Sequence, residues 1–186
     1  ALAAQELPAV SEVRLLAIEA DPAHFNWMKK HFSDNGILYS KHDLIHGAVS
    51  NTNAKLRFPE VENPDEDYGA SVRQVYGGRR FIEVNGFTLR DLFSRFDGPI
   101  DFVHSDIQGS EYEVFPDNID FVSACTKRIM IGTHISNDLH NEIRKLFLDS
   151  GWELIFDFPR NGKAQTEFGE VAFGDGFLYM QNPRFV

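Results

Sequence analysis

Val13-Arg14-Leu15-Leu16-Ala17-Ile18-Glu19-Ala20-Asp21-Pro22 is the stretch on which the fold turns. Its first six residues hardly alternate between apolar and polar. They therefore read as a strand buried on both faces, the pattern of a parallel sheet. Asp21 and Pro22 follow as an N-cap and a first helical residue. Phe25, Met28 and Phe32 then recur at helical spacing over residues 23–35, and Gly36 fits the position that ends a helix.

Working outward, residues 43–49, 55–59 and 81–84 read as further strands, with an acidic loop at Asn63-Pro64-Asp65-Glu66-Asp67. Residues 88–96 form an amphipathic helix pattern through Leu89, Leu92, Phe93 and Phe96, broken by Asp97-Gly98-Pro99. A strand at 100–103 runs into His104-Ser105-Asp106-Ile107-Gln108-Gly109, and 111–115 is helical. Residues 127–131 form the next strand, ending at Gly132-Thr133-His134, and 137–150 the next helix. The strands at 152–158 and 171–180 look like an antiparallel hairpin joined through the turn-rich Arg160-Asn161-Gly162-Lys163. Strands alternating with helices imply an α/β domain, with a mostly parallel sheet, helices on both faces and a C-terminal antiparallel hairpin. Residues 1–186 read as one such domain.

The chain has 186 residues, 18 Lys plus Arg against 28 Asp plus Glu, and a formal charge of −10. That balance excludes a phosphate-binding basic field, and so argues against nucleic acid and against an anionic membrane surface as partners. Hydrophobic residues at 42% and charged residues at 25% are ordinary globular usage. No apolar run is long enough to span a bilayer. Cys125 is the single cysteine, which suits an intracellular, cytoplasmic protein. The opening Ala1-Leu2-Ala3-Ala4-Gln5-Glu6-Leu7 reads as the end of a helix begun earlier, so the domain is expected to be incomplete at its N-terminus. Oligomeric state is left open.

In an open α/β sheet, ligands sit beyond the carboxyl ends of the strands. That directs attention to Glu19-Ala20-Asp21, Gly47-Ala48-Val49, Ser105-Asp106 and Thr133-His134. A carboxylate at Glu19 can accept hydrogen bonds from both hydroxyls of a ribose. Asp106 can bind a cofactor ammonium, act as a base or hold a metal, or simply cap the following helix. His134 can orient or deprotonate an acceptor hydroxyl. His104, His134 and His140 match no tight ligand spacing, and no further ligands for Asp106 are evident, so no metal site is assigned. Asp65-Glu66-Asp67 superficially resembles a metal-binding Asp-x-Asp but reads as a solvated loop. Arg73, Arg79 and Arg80, near Gly77-Gly78, read as a solvated basic hairpin. No Gly-x-Gly-x-x-Gly occurs, and the first glycine is Gly36, so any phosphate or methionine loop would lie upstream of Ala1.

Four ordered motifs resemble the FkbM-type methyltransferases: Ala17-Ile18-Glu19-Ala20-Asp21-Pro22, Gly47-Ala48-Val49-Ser50-Asn51, Thr88-Leu89-Arg90-Asp91-Leu92, and Asp101 through Glu111. The likeness covers about residues 13–158. It implies a Rossmann-like class I fold whose first strand and glycine loop precede Ala1. It implies S-adenosylmethionine as cofactor and O-methylation of a sugar or natural-product hydroxyl on a small-molecule or glycan acceptor. It implies ribose on Glu19, adenine beside Ala20, Asp21, Gly47, Ala48 and Val49, and Asp106 near the methionine end and the acceptor. An aliphatic hydroxyl is a poor nucleophile, and Asp106 and His134 are the candidates for a catalytic base beside it. The family's Lys-Ile-Asp-x-Glu-Gly-x-Glu is changed here to His104 and Gln108 at two charged positions, and the common class I acidic residue after the third strand is replaced by Ala48. Two other classes stay open: a nucleotide-sugar transferase using the acidic loop, and a non-catalytic scaffold that has lost the cofactor loop.

Overall fold

A computed structural model describes residues 13–72 and 80–185. The N-terminal helix end expected at residues 1–7, and Arg73 and Arg79 of the basic cluster, lie outside these residues.

The chain folds as a mixed α/β structure with parallel and antiparallel strand pairs. Strand β1 (Leu16–Glu19) lies parallel to β2 (Asp43–His46), with Glu19 opposite His46. Helix α1 (Pro22–Asp34) joins them. It starts as the sequence implies, because the Asp21 carboxylate accepts from the amides of Ala23 and His24 at 2.9 and 2.8 Å. The chain then breaks at Gly47. β3 (Ala48–Val49) pairs in parallel with β5 (Phe81–Phe87), and β4 (Lys55–Pro59) pairs antiparallel to β5. The expected 43–49 strand is thus two short strands in different sheets. β1 is shorter than expected and only half-buried, with Leu15 exposed before it.

The second half is built on a four-stranded sheet in the order β6 (Val103–Ser105), β7 (Arg128–Thr133), β11 (Gly176–Gln181), β8 (Glu153–Phe158). β6 and β7 are parallel, and β11 runs antiparallel to both β7 and β8. The mostly parallel expectation is corrected: among the described residues three of seven strand pairs are parallel and four antiparallel. Part of the difference is a small extra hairpin, β9 (Lys163–Thr166) with β10 (Gly169–Ala172), which interrupts the single turn expected between the last two strands, and part is the antiparallel β4–β5 pair.

Short helix α2 (Leu89–Phe93) is capped by Thr88. Helix α3 (Glu111–Cys125) runs ten residues past the expected end at Phe115. Pro116, Asp117 and Asn118 look like a stop, yet Val114, Phe115 and Val122 are buried in the core and keep the helix running against the sheet. Helix α4 (Asn137–Asp149) adds Ile143 and Phe147. These side chains pack on Ile129 and Ile131 of β7 and Leu178 and Met180 of β11, which are alternate residues and so share one face. Phe147 meets Phe115 and Trp152 edge-on at centroid distances of 5.5 and 5.2 Å, a preferred aromatic geometry.

Helices on both faces are not found for this sheet among the described residues. The opposite face carries an aromatic seam: Phe102 (50% exposed), Phe156 (51% exposed) and Tyr179. A register shift between Tyr179 and Met180 creates it. Leu154 lies opposite Met180 but Phe156 opposite Tyr179, so one extra residue in β8 turns Leu154 toward the core and Phe156 away from it.

Candidate functional site

The carboxyl ends of β1, β3 and β6 open on one cleft. Glu19, Ala20, Asp21, Gly47, Ala48, Val49 and Asp106 all line it. These residues were picked out in the sequence by their place at strand ends, and the fold brings them together. Glu19 Oε1 accepts from the Asp21 amide at 2.7 Å, which fixes the carboxylate at the cleft wall. Asp21 itself is 4% exposed and spent on capping α1.

The cleft has a second wall, from the 59–80 stretch whose sequence shows no regular structure. Asp67, Tyr68, Ala70, Ser71 and Val72 fold over it from the β4–β5 connection, with His24 and Phe58 beside them. The acidic loop is therefore not simply a solvated excursion: Asp65 and Glu66 are exposed, but Asp67 is half-buried against the cleft. His24 stacks on Tyr68 at 5.1 Å between ring centroids and contacts the Pro64 carbonyl at 2.9 Å, tying the loop to α1. The signal for this wall was Tyr68 and Val72, apolar or aromatic residues in a stretch too polar to be read as structure.

The lining is acidic. Glu19, Asp21, Asp67 and Asp106 contribute carboxylates, and among the described residues no Lys or Arg lines the cleft. Such a wall suits a ligand with a positive centre and opposes one carrying a diphosphate.

At the ends of β6 and β7 the second group of residues meets. Asp106 follows β6 and His134 follows β7. His134 Nε2 lies 2.9 Å from Asp106 Oδ1, although the ring N–H is not aligned for a hydrogen bond. Nδ1 of the same ring lies 3.6 Å from Asp175 Oδ2, and Arg160 holds Asp175 at 3.4 Å. Gly132 makes this arrangement possible. A Cβ there would sit 2.7 Å from His134 Nε2 and 3.6 Å from Asp106 Cγ, so any side chain would drive the imidazole off the carboxylate.

Asp106 does not cap α3. The N-cap is Ser110, which makes no side-chain cap bond. The turn before α3 is held by Glu111 instead. This carboxylate is fully buried and accepts from the amides of Ile107 and Gly109, both at 2.7 Å. The turn needs that support, because Gln108 has φ +52° and Gly109 φ +98°, both left-handed. Gln108 completes it by donating to Asp106 Oδ1 at 2.8 Å. Gln108 replaces the family's charged residue but still reaches Asp106.

The charges shift one another. Contact with His134 holds the Asp106 carboxyl below its usual range, against the opposing effect of burial. Asp106 in turn raises the His134 imidazole, again against burial, with Glu111 and Asp175 adding to the rise. Burial pushes the Glu111 carboxyl up, while the amides that it accepts from and the His134 charge pull it back.

The three histidines are not assembled. His140 is buried and committed elsewhere, with Nδ1 2.8 Å from Thr133 Oγ1 and Nε2 2.8 Å from Asp157 Oδ1. That chain ties α4 to β7 and β8 behind the site.

An acidic cleft at the carboxyl ends of α/β strands, with a carboxylate–imidazole pair at one end, lies where open α/β sheets commonly bind small molecules. The comparisons with known proteins are more specific. The model of the methyltransferase FkbM domain matches residues 5–154. The chain belongs to this FkbM methyltransferase family. A protein of Jannaschia sp. (strain CCS1), described as "Putative methyltransferase", is 33% identical over 181 residues, covering 92% of this chain and 63% of that relative. This chain thus spans less than two thirds of that protein's length. No solved structure matches. Among the described residues, no helix is long and apolar enough to cross a membrane.

Proposed function

We propose that this domain transfers the methyl group of S-adenosylmethionine to a hydroxyl of a small-molecule or glycan acceptor. The observation that carries the reading is the convergence of Glu19, Ala20, Asp21, Gly47, Ala48, Val49 and Asp106 on one acidic cleft, in a chain of the methyltransferase family. In this reading Glu19 takes the ribose hydroxyls, and the 47–49 segment offers backbone and apolar contact to adenine. The strand ends then belong to a Rossmann-like class I sheet. β1 and β6 each pair on one side only among the described residues.

The electrostatics agree. The cofactor carries a sulfonium and an ammonium, and the cleft offers carboxylates. A nucleotide sugar would bring a diphosphate against Glu19, Asp21, Asp67 and Asp106, which disfavours the rival transferase reading.

The sulfonium is already a reactive donor, so the protein's main task is to align oxygen, methyl carbon and sulfur and to exclude water. The oxygen–carbon bond forms as the carbon–sulfur bond breaks, and the sulfur leaves as a neutral thioether. The hydroxyl proton passes to the Asp106–His134 pair, which supplies the base that an aliphatic hydroxyl needs.

The test is calorimetric titration of S-adenosylhomocysteine into the natural full-length protein, with Glu19→Ala beside it. Saturable binding that weakens about tenfold or more in the variant is expected, since a hydrogen-bonded carboxylate is worth about 1.5–3 kcal/mol. A well-folded full-length protein that does not bind overturns the cofactor assignment. Equal affinity in the variant removes Glu19 from the ribose.

A further inference from the structure

We infer that Asp106, Glu111 and His134 form a binding site for one divalent cation. The three come from the end of β6, the first residue of α3 and the end of β7, and one ligating atom from each lies within 4.8 Å of the others.

Three observations point to a cation rather than to a self-contained ion pair. First, His134 Nε2 is buried without a directed hydrogen-bond partner, although Asp106 Oδ1 is only 2.9 Å away. Around an ion with bonds of about 2.1 Å, adjacent ligand atoms lie about 3 Å apart and opposite ones about 4.2 Å. The Asp106–His134 separation already has the adjacent value, and a small closure brings Glu111 into range. Second, two carboxylates converge here with no Lys or Arg paired to either among the described residues. The Glu111 carboxylate accepts from the amides of Ile107 and Gly109 and from its own amide, which leaves one of its four lone-pair sites for a ligand bond. Third, the far nitrogen of the His134 ring faces the Asp175 carboxylate at 3.6 Å. A carboxylate behind the imidazole is the usual support of a metal-bound histidine.

Two carboxylates and one imidazole suit a first-row ion between Mn²⁺ and Zn²⁺. Asp106 also lines the cofactor cleft, so the ion would face the acceptor and polarise its hydroxyl, in place of the Asp106–His134 pair as base. That consequence rests on the methyl-transfer reading, whereas the site itself stands on the geometry.

The experiment is a Mn²⁺ titration of untagged wild type, Asp106→Asn and His134→Ala, read by the electron paramagnetic resonance of free Mn²⁺. Circular dichroism first establishes that all three are folded. One Mn²⁺ per chain is expected, weakened about tenfold or more in each variant, the size of loss seen even for a metal site's supporting groups. Folded wild type that leaves all the Mn²⁺ free overturns the site, as does binding that neither variant weakens. S-adenosylhomocysteine titrated into the same wild-type sample separates the two readings. Binding of it without Mn²⁺ sinks the cation site alone, and Mn²⁺ binding without it sinks the methyl-transfer reading alone.

Discussion

Replacing Glu111 by Gln tests how the site is held. The change conserves size and keeps one acceptor oxygen. The other oxygen becomes an amide that faces a backbone N–H, where Glu111 now accepts at 2.7 Å. Loss of one charge-assisted hydrogen bond at a fully buried position costs about 2–3 kcal/mol. Burial disfavours the charged carboxylate, as its raised pKa records, so the neutral side chain recovers part of that cost. The net expectation is a loss of about 1–2 kcal/mol, or a fall in melting temperature of about 2–8 °C for a domain of this size. Trp152 is 3% exposed, and its fluorescence reports the unfolding. Hydrogen exchange adds a local readout: the amides of Ile107 and Gly109 should exchange faster than those of β7. A variant as stable as wild type, with both amides equally protected, would refute the claim that Glu111 holds the 106–109 turn.

Three further outcomes follow from contacts described above. Asp21→Ala removes both side-chain bonds at the start of α1 and should cost about 1 kcal/mol by urea unfolding, with the rest of the fold unchanged. Gly132→Ala should leave the domain folded but move the His134 ring, seen as a shift of the His134 imidazole resonances with those of His140 unaltered; unchanged His134 signals would contradict the 2.7 Å clash. Phe147→Ala removes a fully buried ring between Phe115 and Trp152 and should cost about 3–5 kcal/mol, measured as a shift in the denaturation midpoint.

Residues whose roles depend on local chemistry were readable before the structure. Asp21-Pro22 announces a helix start and Asn137 to Asp149 a helix, since caps and apolar spacing act within a few residues. Glu19, Asp106 and His134 stand out because each ends an apolar run. What depends on distant partners was hidden. Residues 171–180 read as one strand interrupted at Gly174-Asp175-Gly176, and the break is visible there, but not the partners: Val171 pairs with Ala164 while Leu178 pairs with Ile131 and Asp157. Pro116 looks like a stop, and only the burial of Phe115 and Val122 explains why α3 continues. Glu111 carries no local mark of being buried. Its role emerges only when the turn at Gln108 and Gly109 folds its amides back onto the carboxylate. The conformation of the 63–72 wall was likewise hidden, because Tyr68 and Pro64 are held to the cleft by His24, a residue 40 positions from Pro64.

The aromatic seam of Phe102, Phe156 and Tyr179 has a colloidal consequence. With a net charge of −10, copies of the chain repel one another in dilute buffer at neutral pH. Salt shortens that repulsion to about 8 Å at physiological ionic strength, so the uncovered rings of two copies can meet. Solubility should therefore fall as salt is added, and fall again as the pH approaches the isoelectric point near 5.1. Light scattering across a salt series would follow this directly, and low ionic strength with a mildly alkaline buffer is the condition in which to handle the protein.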